Sequence, residues 1–348
     1  MAYTTIDDPT IYFNTIAYTG DGSQDVTGVG FQPDWVWVKA RGNTYNHQIH
    51  DSVRGATAGM LSSNSNDAEN STYQFDSFDS DGFTTDSGNI TGINANTHGQ
   101  VAWCWKAGGS ASSNSNGSIS SSVSANTTAG FSIVSWTGTG SAATIGHGLG
   151  AVPTMIIVKN RDQTDDWYCY NVHNGNTHSI LLNSTGAKVG AYTDNWNNTT
   201  PTSSVFSVGG SHATSGGSSE KMIAYCFTDV KGYSKFGSFS GTGNADGAFV
   251  YTGFAPAWLI LKKTNSSGSV NWFMFDNKRS PINAVDDFLK ADTSDAEGGD
   301  GNGYLDFLSN GFKFKTANIG TESGGTFIYM CFAESPLVNS NGIPNNAR

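Results

Sequence analysis

The sequence predicts an all-β protein of three tandem antiparallel β-sandwich modules, jelly-roll-like in type. Three observations carry that expectation. Charged residues make up only 14% of the 348 residues, with 43 glycines and abundant serine, threonine and asparagine, a composition that suits short strands and tight turns and disfavours long helices. A hydrophobic phrase recurs three times, as GFQPDWVWVKAR at 30–41, GLGAVPTMIIVKNR at 148–161 and GFAPAWLILKKT at 253–264. A period of about 105 to 120 residues, with turn signals every ten or so, favours sandwiches or jelly rolls over propellers and solenoids.

Each repeat reads as the same run of elements. TIAYTGDG, IVSWTGTG and FGSFSGTG open it as alternating strands that end at a Gly-x-Gly step, expected to reverse as a hairpin. The apolar strand follows, its proline placed at the entrance where no ladder bond is lost. WVWV, MIIV and WLIL lack polar alternation, so both faces of that strand are expected to be covered, with Lys39, Lys159 and Lys262 marking where it emerges into water. A third strand comes next, aligning His47 with Trp167 and Trp272, and Asp51 with Asn171 and Asp276. Later, FDSDGFTTDS, SSVFSVGG and LSNGFKFKT read as a further hairpin, with Asn310–Gly311 the strongest turn among them.

QVAWCWKA, KMIAYCFT and FIYMCFAE close the repeats. Large residues alternate on one face, Val101, Trp103 and Trp105, then Ile223, Tyr225 and Phe227, then Ile328, Met330 and Phe332. The other face carries Ala102 and Cys104, Ala224 and Cys226, Tyr329 and Cys331, small for the most part where a second layer comes close. Three of the four cysteines thus fall at one equivalent site, which points to packing and not to disulfides. The boundaries expected are 1–107 for the first module, 108–130 for a Ser/Asn/Gly-rich linker without a core, 131–230 and 231–335 for the second and third modules, and 336–348 for a tail.

The formal net charge of −11 offers no attractive field for nucleic acid or an anionic membrane. No apolar run approaches the roughly 20 residues that span a bilayer. The opening MAYTTIDDPT has neither a basic nor an apolar signal region, so a soluble chain without a cleaved signal is expected.

Catalytic chemistry is not legible. Among seven histidines, His47 and His50 are three apart on a strand and face opposite ways, and His147 in GHGLG has no histidine at the matching positions, so a hairpin side chain is expected there. No H-E-x-x-H, paired C-x-x-C or G-x-S-x-G with following Asp and His occurs. Asp51 with Arg54 and Asp276 with Arg279 are spaced for turn-stabilising ion pairs, which the second repeat replaces with Asn171 and Asn174. DTSDAEGGDGNGYLD at 292–306 is the candidate metal segment, where Asp295, Asp300, Asn302 and Asp306, with Asp292 and Glu297 beside them, could offer oxygen ligands to calcium, though not at EF-hand spacing; the alternative is a solvated loop. FDSFDSDGF at 75–83 supports a weaker version of the same idea. No other cofactor and no catalytic residue is assigned.

TGVGFQPDWVWVKAR, NTTAGFSIVSWTGTGSAATIGHGLG with MIIVKNRD, and the ending IYMCFAESPLVNSNGIPNNAR resemble modules that recur in virion-associated proteins of tailed bacteriophages, chiefly those of marine bacteria and cyanobacteria. The similarity leaves mainly the linker outside it. It implies a non-enzymatic virion structural protein at the particle surface, a tail fibre or similar appendage contributing to host attachment, made in the bacterial cytoplasm. Other virion proteins are the implied partners, with a homo-oligomer, trimer above all, and a host surface glycan or protein as further expectations. A capsid head-decoration protein and a carbohydrate-binding or glycan-cleaving module are the alternatives.

Overall fold

A computed structural model describes residues 2–73, 75–85, 92–190, 194–265, 269–299, 301–318 and 320–346. It is all-β, built from several antiparallel sheets; the 3-10 turn Pro9–Ile11 and the helical turn His212–Ser215 are the only helical elements among the described residues. The recurring phrases occupy the same place in three sheets. Opening strands Phe13–Thr19, Phe131–Thr137 and Ser234–Gly241 pair with closing strands Gly99–Trp105, Lys221–Phe227 and Gly325–Pro336. Those pair in turn with the proline-led strands Trp35–Ala40, Met155–Asn160 and Phe254–Lys263, and these with the third strands Gln48–Asp51, Tyr168–Asn171 and Phe273–Asp276.

A smaller sheet lies over one face of each. In the first repeat it is Asp25–Thr27, Gly82–Thr85 and Phe75–Asp79, and in the third Phe249–Tyr251, Gly311–Phe314 and Leu305–Leu308. The Asn310–Gly311 turn closes the last hairpin as expected. The second repeat departs from the pattern, because Val205–Val208 pairs with Ala143–Gly146 in a two-stranded sheet and not with a hairpin partner of its own.

The Gly-x-Gly steps are not hairpins. Each opening strand pairs with its closing strand, so the chain at the step leaves one sheet for the other. Gly20, Gly138 and Gly241 instead allow backbone to pass close by, since a Cβ there would stand 2.5 Å from Ala95 O, 2.6 Å from Gly216 C and 2.6 Å from Glu322 O.

The doubly apolar strands are covered on both faces, and by different things. Val36 and Val38, Ile156 and Val158, and Leu259 and Leu261 enter three separate clusters with the small sheets, joined by Cys104, Cys226 and Cys331. All four cysteines are buried and free, and burial pushes their thiols up, so they pack as small hydrophobes. The opposite face carries Trp35 and Trp37, Met155 and Ile157, and Trp258 and Ile260. Together with the large residues of the closing strands it forms one continuous cluster drawn from all three repeats. Trp35 stacks on Tyr225 at 4.6 Å, and Trp105 meets Trp258 edge-on at 5.4 Å.

Two further expectations fail here. Lys39, Lys159 and Lys262 do not emerge into water; all three are fully buried, because the neighbouring repeat covers the strand ends. The segment 108–130 is not a structureless connector either. Ser112–Asn114 and Ser121–Asn126 add two strands to the opening edge of the second sheet, and Val123 enters its core. Its start is pinned by the buried Asp34, which accepts from Ala107 N at 2.8 Å, Gly109 N at 3.2 Å and Ser52 Oγ at 2.8 Å.

Candidate functional site

A set of buried charged and ring N–H side chains lies in seams between repeats. Asp51 ends the first repeat's third strand and Arg54 lies in the turn after it, both side chains fully buried and ion-paired. Arg54 also reaches Gly59 O at 2.6 Å, Ile49 O at 2.8 Å and Glu69 Oε2 at 3.1 Å. The second repeat completes the cluster. Arg161 donates to Glu69 from Nε at 2.7 Å and Nη2 at 3.1 Å, and the Tyr225 hydroxyl donates to Asp51 Oδ2 at 2.8 Å. Burial alone would raise the Glu69 carboxyl, but the bonds from Arg161 and the charge of Arg54 outweigh it and hold the group below its ordinary range.

The same constellation recurs between the third and first repeats. Arg279 Nε donates to Asp276 Oδ2 at 2.6 Å and Nη1 to Glu297 Oε2 at 3.1 Å; Arg41 of the first repeat donates to Glu297 at 2.6 and 2.9 Å, and the Trp103 indole to Asp276 at 3.1 Å. Between the second and third repeats Asn171 and Asn174 stand in place of Asp and Arg. Asn171 Oδ1 keeps the turn by accepting from His173 N at 2.9 Å, while the side-chain amide nitrogens of Asn171 and Asn174 find no partner among the described residues. Backbone contacts complete the cycle, from Glu69 N to Arg161 O at 2.8 Å, Lys188 N to Thr264 O at 3.1 Å and Glu297 N to Arg41 O at 2.7 Å.

The aligned His47, Trp167 and Trp272 act alike, each giving a ring N–H to a carbonyl of the adjacent repeat, at Lys290 (3.0 Å), Ser62 (2.7 Å) and Leu181 (2.9 Å). The buried lysines do similarly where they can, Lys159 reaching Asn66 O at 3.2 Å and Lys262 reaching Ser184 O at 2.9 Å. Burial pulls each of the three ammoniums down to about 8.

His47 also accepts from the Trp37 indole on Nδ1, which fixes the neutral Nε2–H tautomer. Burial, with the Lys39 charge beside it, depresses its pKa to about 3, and burial likewise depresses His50 and His147. His147 is not the exposed hairpin side chain expected, since it is fully buried with Nε2 on Thr202 O at 3.1 Å. Because the folded pKa of His47 lies below its unfolded value of 6.5, the unfolded chain takes up the proton first. The stability that His47 contributes is therefore fully present above pH 6.5 and is lost as pH falls toward about 3, by on the order of 1.4 kcal/mol per pH unit. Denaturant melts across this range are expected to show a shallower slope for His47→Gln than for the parent; an unchanged slope would contradict it.

Those of the expected calcium ligands that lie among the described residues are not gathered into one site. Asp295 pairs with Lys290 at 3.0 Å, and Asp306, on the strand Leu305–Leu308, faces Lys315 at 3.6 Å. Asn302 is engaged within the protein and Asp300 lies outside the described residues. Of their neighbours, Glu297 serves the seam, and Asp292 accepts from Trp272 N at 3.0 Å. In the weaker candidate segment, Asp79 accepts from Thr84 and Asp81 from Gly28 N and Gly30 N. Among the described residues no three His, Cys, Asp or Glu side chains stand together as a metal site.

Sequence reasoning missed a surface cleft of about 570 Å³ where the N-terminal segment meets the third repeat, lined by Tyr3, Asp229, Lys231, Ser234, Lys235 and Tyr251. Tyr3 donates to Gly253 O at 2.8 Å and its hydroxyl meets that of Tyr251 at 3.2 Å. Lys231 Nζ lies 4.3 Å from the Tyr3 ring centre, and Lys235 pairs with Asp229. Tyr251 and Phe249, 55% and 47% exposed, point outward from one strand on either side of the buried Val250. The signal was present in FVY, where an alternating strand carries aromatics at both outward positions.

Residues 8–336 match the protein family described as a domain of unknown function (DUF7483). No curated protein and no solved structure matches the chain.

Proposed function

We propose that this chain, which belongs to the DUF7483 family, is three sandwich-type repeats closed into a ring about one core, serving as a non-enzymatic structural protein on the surface of a phage particle. The role is that of a tail fibre or similar appendage contributing to host attachment. The observation that carries the reading is the destination of the polar chemistry. The buried Asp51–Arg54–Glu69 and Asp276–Arg279–Glu297 clusters, with the aligned ring N–H donors, bond across repeats and hold a body together instead of facing a substrate. The phrases shared with virion-associated modules supply the particle context, and other virion proteins and further copies of the chain are its proposed partners.

Immunogold labelling of purified particles that carry a tagged copy of the chain tests this. Gold on the tail or its fibres is the expected result. Gold on the head would replace the appendage reading with capsid decoration, and particles lacking the chain would overturn the virion assignment altogether.

A further inference from the structure

The geometry points to the cleft around Tyr3, Lys231 and Tyr251 as a binding site for a neutral saccharide. A pyranose ring offers a flat face of C–H groups and a rim of hydroxyls, so it needs an exposed aromatic face with donors and acceptors at its edge. Tyr251 supplies the face. Its cross-strand neighbour is Gly311, which has no side chain to cover the ring. Phe249 projects from the same side two residues along, roughly 7 Å away at strand spacing, which places a second platform under the next sugar of a chain.

The rim is mixed in sign. Lys231, held over the Tyr3 ring and without an ion-pair partner among the described residues, offers N–H donors. Asp229 offers acceptors, although Lys235 and the Phe236 amide already engage it. Such a rim suits hydroxyls, which both donate and accept. The chain's net charge of −11 works against a polyanionic glycan, so an uncharged one is the better fit. At about 570 Å³ the cleft falls in the size range of small-ligand sites.

This deepens the attachment reading and rests on it for the biological source of the sugar, but its test is separate. The isolated full-length chain is titrated with neutral tetrasaccharides of glucose, galactose and mannose, and with an alginate tetrasaccharide, by calorimetry and saturation-transfer NMR. At least one neutral tetrasaccharide is expected to bind with a millimolar or tighter Kd, weakened about tenfold or more by Tyr251→Ala and severalfold by Lys231→Ala. Tyr251→Phe should keep most of the affinity. Both exposed positions should leave the unfolding midpoint unchanged, so loss of binding is not loss of fold. Absence of binding to all three neutral sugars, binding of alginate alone, or full affinity in Tyr251→Ala would each overturn the assignment, whatever particle labelling shows.

Discussion

Trp103→Ala is expected to lower the unfolding free energy by about 3–5 kcal/mol, the range for truncating a buried aromatic. Trp103 is fully buried in the cluster shared by the repeats, edge-on to Trp37 at 6.1 Å and 6.3 Å from Trp258. The Arg279 guanidinium lies over its ring at 5.6 Å, and its indole N–H satisfies Asp276. The substitution therefore opens a cavity and also strips a hydrogen bond from a buried carboxylate. Trp103→Phe, which keeps most of the volume, isolates the second effect at about 1–3 kcal/mol. Equilibrium denaturation of the two variants separates the contributions, and near-parental stability of Trp103→Ala would place this face outside the core.

Arg279→Leu is the second large effect, again about 3–5 kcal/mol, because it leaves Asp276 buried with its charge unpaired and removes one partner of Glu297. The protein already contains a design for escaping that cost. Asn171 and Asn174 show the same turn built without either charge. The double substitution Asp276→Asn with Arg279→Asn is accordingly expected to cost less than Arg279→Leu alone. A double variant as unstable as the sum of its single changes would show that the pair is not coupled.

The strands were legible because alternation is a local property. The closing strands sort their large and small residues to opposite faces as read, and the cysteine face meets the small sheet in all three repeats. Alternation says that a face is covered, however, and not by what. Trp103, Tyr225 and Met330 looked like the interiors of separate bodies, whereas they meet in one cluster. The same blindness put Lys39, Lys159 and Lys262 in water, since a lysine at a strand end normally reaches solvent and only a neighbouring repeat could cover it. Composition misled at 112–126 for a different reason. A ladder is made of backbone groups, so Ser121–Asn126 can extend a sheet with almost no apolar side chains.

At the candidate sites the limits were spatial. Carboxylate spacing at 292–306 suggested a calcium loop, but Lys290 takes up Asp295, Lys315 faces Asp306, and Arg41 and Arg279 both engage Glu297. The cleft was hidden because Tyr3 and Tyr251 are far apart in sequence and meet only when the N-terminal segment lies across the third repeat, where Thr4 Oγ1 also reaches Lys231 O at 2.8 Å.

Scanning calorimetry of the intact chain tests the ring with a shared core most directly. Three repeats that bury their largest residues against one another should unfold together, as one transition whose calorimetric and van't Hoff enthalpies agree. Separate transitions, with Trp103→Ala shifting only one of them, would mean that each repeat holds its own core and that the interior common to all three does not exist.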